Sequence, residues 1–163
     1  MTETSDVKTV RGQASCPRIT PHLFVDAPDE AIEFYRTVFG ATVRLRMCEP
    51  DGRVGHVQLE VGDSLIMLAE EFPEHDMRGP KSVGGTPVAI SIYMDDVDEV
   101  FELALAAGAR VVLPVSDQLY GDRVGMLEDP FGHRWIVATP VEDVPLDELT
   151  RRMAASAHGH TAC

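Results

Sequence analysis

Basic residues are scarce in this chain. Against 27 aspartates and glutamates stand 14 lysines and arginines, a formal charge of −13. So acidic a surface repels phosphate backbones and anionic lipid, which argues against nucleic acid or a membrane surface as the main partner. Cysteine is scarce as well: Cys16, Cys48 and Cys163 are odd in number and widely spaced, which suits neither a disulfide framework nor a zinc knuckle. Reduced thiols in a cytoplasmic protein are expected. The opening MTETSDVKTVRGQASCPR lacks the apolar core of a signal peptide, and no later run approaches membrane-spanning length. With 44% hydrophobic residues among 163, the chain can bury one ordinary core, or two small halves that share one. A small molecule or another protein is the partner these absences leave.

Periodicity supplies the elements. Residues 1–17 are polar and aperiodic and read as a flexible lead-in. Residues 19–25 alternate as a strand, and Pro28 breaks it. Ala31, Ile32, Phe34, Tyr35, Val38 and Phe39 then recur at helical spacing, with Gly40 as the stop. Strands are expected over 41–49, 54–61 and 64–70. Residues 72–85, FPEHDMRGPKSVGG, read as a linker or mobile loop. The order then repeats: a strand over 87–94, a helix over 96–107 ended by Gly108, and strands over 110–115, 123–128 and 134–139. The last two form a hairpin around Asp129-Pro130-Phe131-Gly132. A C-terminal segment, 141–163, carries a helix over 145–155 whose Leu146, Leu149 and Met153 form a narrow apolar stripe. In the frayed end beyond it, His158 and His160 carry no biological role.

Two landmarks mark a duplication. The helix-ending pairs Gly40-Ala41 and Gly108-Ala109 are offset by 108 − 40 = 68, and the turn glycines Gly62 and Gly132 by 132 − 62 = 70. The chain is therefore expected to be α+β, with a first βαβββ module over 18–71 and a second over 86–140.

A doubled unit carrying AIEFYRTVFGA, YMDDVDEVFELALAAGA and EDPFGHRW resembles the vicinal oxygen chelate superfamily, which includes glyoxalase I, extradiol dioxygenases and bleomycin-resistance proteins. The pairing of YGDR with DPFGHRW is similar to the PhnB-like branch. The resemblance implies tandem βαβββ modules forming a cupped mixed sheet, helices outside, a ligand in the concave face, and a homodimer in which modules complete each other's clefts. It also implies where a metal would be held. Those positions fall on Thr20, Ile66, Ala89 and Ile136, and a slip of one on the closing strand gives Leu65 or Met67 instead of Ile66. None of these suits a divalent cation. The departure implies no cofactor and a metal-independent binding protein of the bleomycin-resistance type, sequestering an antibiotic or metabolite.

Strand alternation extends the cup from those four positions. Thr20 brings His22 and Phe24; His56, Gln58 and Glu60 face inward because Val57, Leu59 and Val61 pack under the helix. Ile66 brings Leu68 and Glu70; Ala89 brings Ser91 and Tyr93; Ile136 brings Arg134 and Ala138. Tyr120, Asp122 and Arg123 are placed at the mouth, where the arginine holds an anionic or carbonyl ligand or else a neighbouring aspartate. Trp135 alternates into the core. The alternative reading is an enzyme, a lyase or isomerase with a divalent metal displaced onto His22, His56 and Glu70 or Glu60, or metal-free acid–base chemistry by the two histidines. Each histidine reads equally as a hydrogen-bonded wall residue, and His133 as a turn cap. The net negative charge favours cationic ligands.

Overall fold

The computed structural model describes residues 16–158. Most of the expected lead-in, together with His160 and Cys163, lies outside the described residues, as does the side chain of His158. The first module runs β1 (His22–Val25), α1 (Pro28–Phe39), β2 (Thr42–Cys48), β3 (Val54–Val61) and β4 (Ser64–Glu70). A 3-10 turn, Pro73–His75, and a one-turn helix, α2 (Pro80–Val83), occupy the connecting segment. The second module runs β5 (Ala89–Tyr93), α3 (Val97–Ala106), β6 (Arg110–Asp117), β7 (Asp122–Glu128) and β8 (Arg134–Pro140), followed by α4 (Leu146–His158). The two sheets have the same strand order, β1-β4-β3-β2 and β5-β8-β7-β6, which is the duplication expressed as topology. In each, the first strand lies parallel to the last and the other pairs are antiparallel.

Local chemistry explains the boundaries. Pro28 sits in the first turn of α1, where a missing N–H costs nothing, with Asp29 and Glu30 at the positive end of the helix dipole and Arg36 at the negative end. The Asp96 side chain caps α3 by accepting from the Asp98 and Glu99 N–H groups. The edge strands β1 and β5 begin later than the sequence pattern suggests, at His22 and Ala89 rather than 19 and 87. Pro21 and Pro87 have no N–H to give a ladder, and Val88 N–H is drawn to the Thr86 hydroxyl at 3.1 Å.

One core serves both modules. Leu23, Val25, Val57, Leu59 and Leu68 of the first sheet, α1's apolar stripe, α3's Val97, Val100, Phe101 and Ala104, and Leu127, Trp135 and Val137 of the second sheet form a single cluster. Helix α1 packs on β3, β4 and α3, while α3 packs on β6, β7 and β8. Each fully buried side chain of this size stabilises the fold by about 1.5–3 kcal/mol. The helices thus cover one face of each sheet and leave the other uncovered by them.

Candidate functional site

Strand register decides which side chains share that other face. In the first sheet His22 stands beside Met67, Phe24 beside Ala69, and Gln58 beside both Met67 and Leu45, with His56 paired to Met47. The outer face therefore carries His22, Phe24, His56 and Gln58 as expected, joined by Met47 and Met67. Ile66, Leu68 and Glu70 do not join them. Leu68 is in register with Leu23 and Val57 on the helix side and is wholly buried, Ile66 lies in the same core, and Val25 pairs Glu70. Glu70 ends the strand by accepting the Val54 N–H at 3.0 Å.

The reason for this slip lies in the turns. The pair closing the first turn, Val61 with Ser64, is in the helix-side row; the pair closing the second, Glu128 with Arg134, is in the outer row. Counting four residues from each turn glycine therefore lands on opposite faces, Ile66 inward and Ile136 outward.

On the first outer face, the His22 ring stacks on Phe24 with centroids 5.0 Å apart and lies 5.7 Å from His56. Gln58 Nε2 is 3.3 Å from His56 Nε2 and also reaches Cys16 Sγ at 4.0 Å. Partial desolvation, and then the neighbouring His56, hold the His22 pKa below its ordinary value, so the ring is neutral near pH 7. Two imidazoles alone do not make a metal site. With Glu70 engaged elsewhere, the displaced set His22, His56 and Glu70 is not assembled, and among the described residues no group of three His, Cys, Asp or Glu side chains is placed to hold a metal.

On the second outer face, Ser91, Ile136 and Met126 form one row and Tyr93, Ala138 and Val124 the next. Ser91, Tyr93, Arg134 and Ile136 thus share a face, as alternation requires. The Tyr93 hydroxyl donates to Asp122 Oδ2 at 3.3 Å, and that carboxylate pushes the phenol pKa up. Tyr120 stands half-exposed over a hollow of about 390 Å³ lined with Leu113, Val124, Met126 and Ile136. Arg123 departs from the expected mouth. It lies on the helix side, bidentate to Asp98 at 2.7 and 2.9 Å and bonded to Asp117 at 2.9 Å. These carboxylates hold its pKa above the ordinary arginine value and occupy its fork, so it ties α3 to the β6–β7 end.

A second cleft, of about 530 Å³, lies along the seam between β1 and β5. His22, Phe24, Ala89 and Arg134 line it, together with Arg78, Pro80 and Val83 from the connecting segment. Sequence reasoning missed these last residues, because FPEHDMRGPKSVGG carries turn signals but no periodicity that assigns it a face. It also missed Met47 of β2 and offered Met67 of β4 only as a one-residue slip from Ile66; the pairing register places both on the outer face.

The DPFGHRW hairpin serves the fold. Asp129 is 4% exposed, and its carboxylate accepts from Tyr35 Oη at 2.6 Å, Trp135 Nε1 at 2.9 Å, and the backbone N–H groups of Phe131 and His133, each at 2.9 Å. Tyr35 lies on α1, so this one carboxylate joins the first module's helix to the second module's turn. Burial, and then the facing carboxylate, raise the Tyr35 pKa far above that of an exposed phenol, which keeps the hydroxyl a donor. His133 is not only a turn residue: its Nε2 lies 3.0 Å from the Phe24 carbonyl of β1.

Known proteins share this arrangement. The sequence pattern of the Glyoxalase/Bleomycin resistance protein/Dioxygenase superfamily matches residues 17–137. An uncharacterized protein of Mycobacterium bovis is 42% identical over 148 residues, covering 88% of this chain and 96% of its own, and one of Mycobacterium tuberculosis is equally similar over 86% of its length. Among solved structures, TioX from a Micromonospora species superposes with a TM-score of 0.59 at 28% identity, covering 77% of this chain and 99% of its own. A PhnB protein from Bacillus cereus gives 0.60 at 17% identity, with 76% and 99% covered. The fosfomycin resistance protein FosX of Listeria monocytogenes gives 0.58 at 16%, with 82% and 97% covered. The doubled βαβββ topology and the match over both modules lead to one conclusion: the chain belongs to the glyoxalase/bleomycin resistance protein/dioxygenase superfamily.

Proposed function

We propose that the protein is a metal-independent, cytoplasmic small-molecule-binding protein of the bleomycin-resistance type, sequestering an antibiotic or metabolite on the outer faces of its sheets. The observation that supports it is the make-up of those faces. Phe24, Met67, Gln58, Tyr93 and Ile136 recognise a ligand by shape and a few hydrogen bonds, while the two imidazoles present lack an acidic third donor. Among the described residues no helix is long and apolar enough to cross a membrane.

Within this reading the protein is a homodimer. Met47, Tyr93 and Leu113, on the outer faces, are 52%, 64% and 56% exposed, a cost a partner copy relieves by closing each half-cup. Sedimentation of the purified protein should give a dimer, and Tyr93→Glu with Leu113→Glu a monomer; an unmodified protein that sediments as a monomer removes this part.

The function is tested by calorimetric titration of candidate drugs and metabolites with and without chelator, alongside elemental analysis of fresh protein. Chelator-insensitive binding, without catalytic turnover and with far less than one equivalent of bound metal, is expected. Binding or turnover that disappears with chelator overturns it.

One observation favours a second reading, metal-free acid–base catalysis: neutral His22 beside His56, itself next to the Gln58 amide. That reading requires His22→Gln and His56→Gln to abolish a measured turnover while leaving ligand affinity in place.

A further inference from the structure

The seam cleft differs in charge from the rest of the molecule. Acidic residues outnumber basic ones 27 to 14 along the chain, yet none of the described residues lining this cleft is acidic. Its charged or ionisable members are Arg78, Arg134, His22 and His133. Apart from Thr20 and Thr86 its walls are otherwise apolar, with Leu23, Phe24, Val83 and Ile90 among them.

The two arginines are held loosely. Arg134 Nε is buried from solvent without a hydrogen-bond partner. Glu128 Oε2 stands 3.6 Å from it, beyond hydrogen-bond reach, and is engaged by Arg110 at 3.0 Å. Arg78 meets Asp76 at 3.3 Å, an exposed pair that solvent screens. That N–H is covered, so a ligand oxygen meets the guanidinium through the remaining N–H groups of a side chain that is 40% exposed. Arg123, by contrast, has its fork filled by Asp98 and Asp117.

We infer that the seam cleft selects an anionic apolar ligand, a carboxylate or similar oxyanion on an aromatic or aliphatic body, with Arg134 as its principal anchor and Arg78 as a second. This deepens the binding function proposed above and rests on it. It also reverses the preference for cationic ligands that net charge suggests, because local charge at short range outweighs a screened distant surplus.

The test uses three probes of one shape: 1-naphthylacetate, 1-naphthylacetamide and 1-naphthylethylamine, titrated at low ionic strength into the full-length protein. The carboxylate should bind about tenfold tighter than the amine, which is a cation at neutral pH and is repelled by the arginines, with the neutral amide between them. Arg134→Gln should remove most of that preference, lowering carboxylate affinity more than amide affinity. The exposed Arg78→Gln, which disturbs no packing, should lower carboxylate affinity by about threefold. A carboxylate that binds no better than the amide or amine overturns the inference, as does a preference that survives both substitutions, or failure of all three probes to bind. A charge preference that disappears only with chelator keeps the anchor and overturns instead the metal-independent reading.

Discussion

The two closing turns occupy the same place in the two modules and do different work. In the first, Gly62 and Asp63 join the paired residues Val61 and Ser64, and Asp63 accepts from the exposed Ser64 hydroxyl at 2.9 Å. In the second, five residues separate Glu128 from Arg134, and the carboxylate at their head is buried under four donors. The first turn is solvated and local. The second turn is a joint between modules, since Tyr35 and Trp135 both reach Asp129. A duplicated unit can thus keep its topology while one copy of a loop becomes part of the core.

The largest effect expected from this contrast follows substitution of the two aspartates. Asp129→Ala leaves Tyr35 Oη, Trp135 Nε1 and two backbone N–H groups without their acceptor and should destabilise the protein by about 3–5 kcal/mol in denaturant unfolding. Asp63→Ala should change stability by less than about 0.5 kcal/mol. Equal costs at the two positions would break the comparison.

The glycines sharpen it next. Gly132 has φ +91°, and a Cβ there would come within 2.9 Å of Pro80 Cβ, whereas Gly62, at φ +57°, has nothing within 4 Å of that position. Gly132→Ala should cost about 2–3 kcal/mol through strain and displacement of α2, and Gly62→Ala about 1 kcal/mol through strain alone, both read as unfolding midpoints.

The smallest effect concerns the outer faces. Because the fold holds the His22 pKa below 6.5, the unfolded chain takes up more protons than the native one as pH falls through that value. Stability should therefore decline slightly more in wild type than in His22→Gln between about pH 7 and pH 5, a modest difference because solvent still reaches the ring. The His22 resonances should titrate at higher pH in His56→Gln, since the second cause of the depression is then removed. An unchanged midpoint would separate the two rings electrostatically.

Much of the fold was legible because periodicity and turn chemistry agree along both modules. The spans 54–61 and 64–70 coincide with β3 and β4, and the apolar stripe Ala31, Ile32, Phe34, Tyr35, Val38 and Phe39 is wholly buried in α1. The face of β4 was not legible. Val-Gly-Asp-Ser-Leu-Ile-Met-Leu-Ala-Glu has apolar residues at both parities from Leu65 to Ala69, so alternation does not choose between them. An aspartate pair was one of two readings of Arg123, but its partner Asp98, 25 residues away, was not legible.

By itself the sequence determined the duplicated module, the helix stripes, the hairpin at DPFG and the inward Trp135, since each depends on neighbours within a few residues. Tertiary structure alone decided that Asp129 joins two modules, that Met67 rather than Ile66 faces outward, and that an acidic chain holds a cleft lined by arginines. Those are matters of pairing register and of residues brought together from distant positions, and the energy that selects them arises only when the surfaces meet.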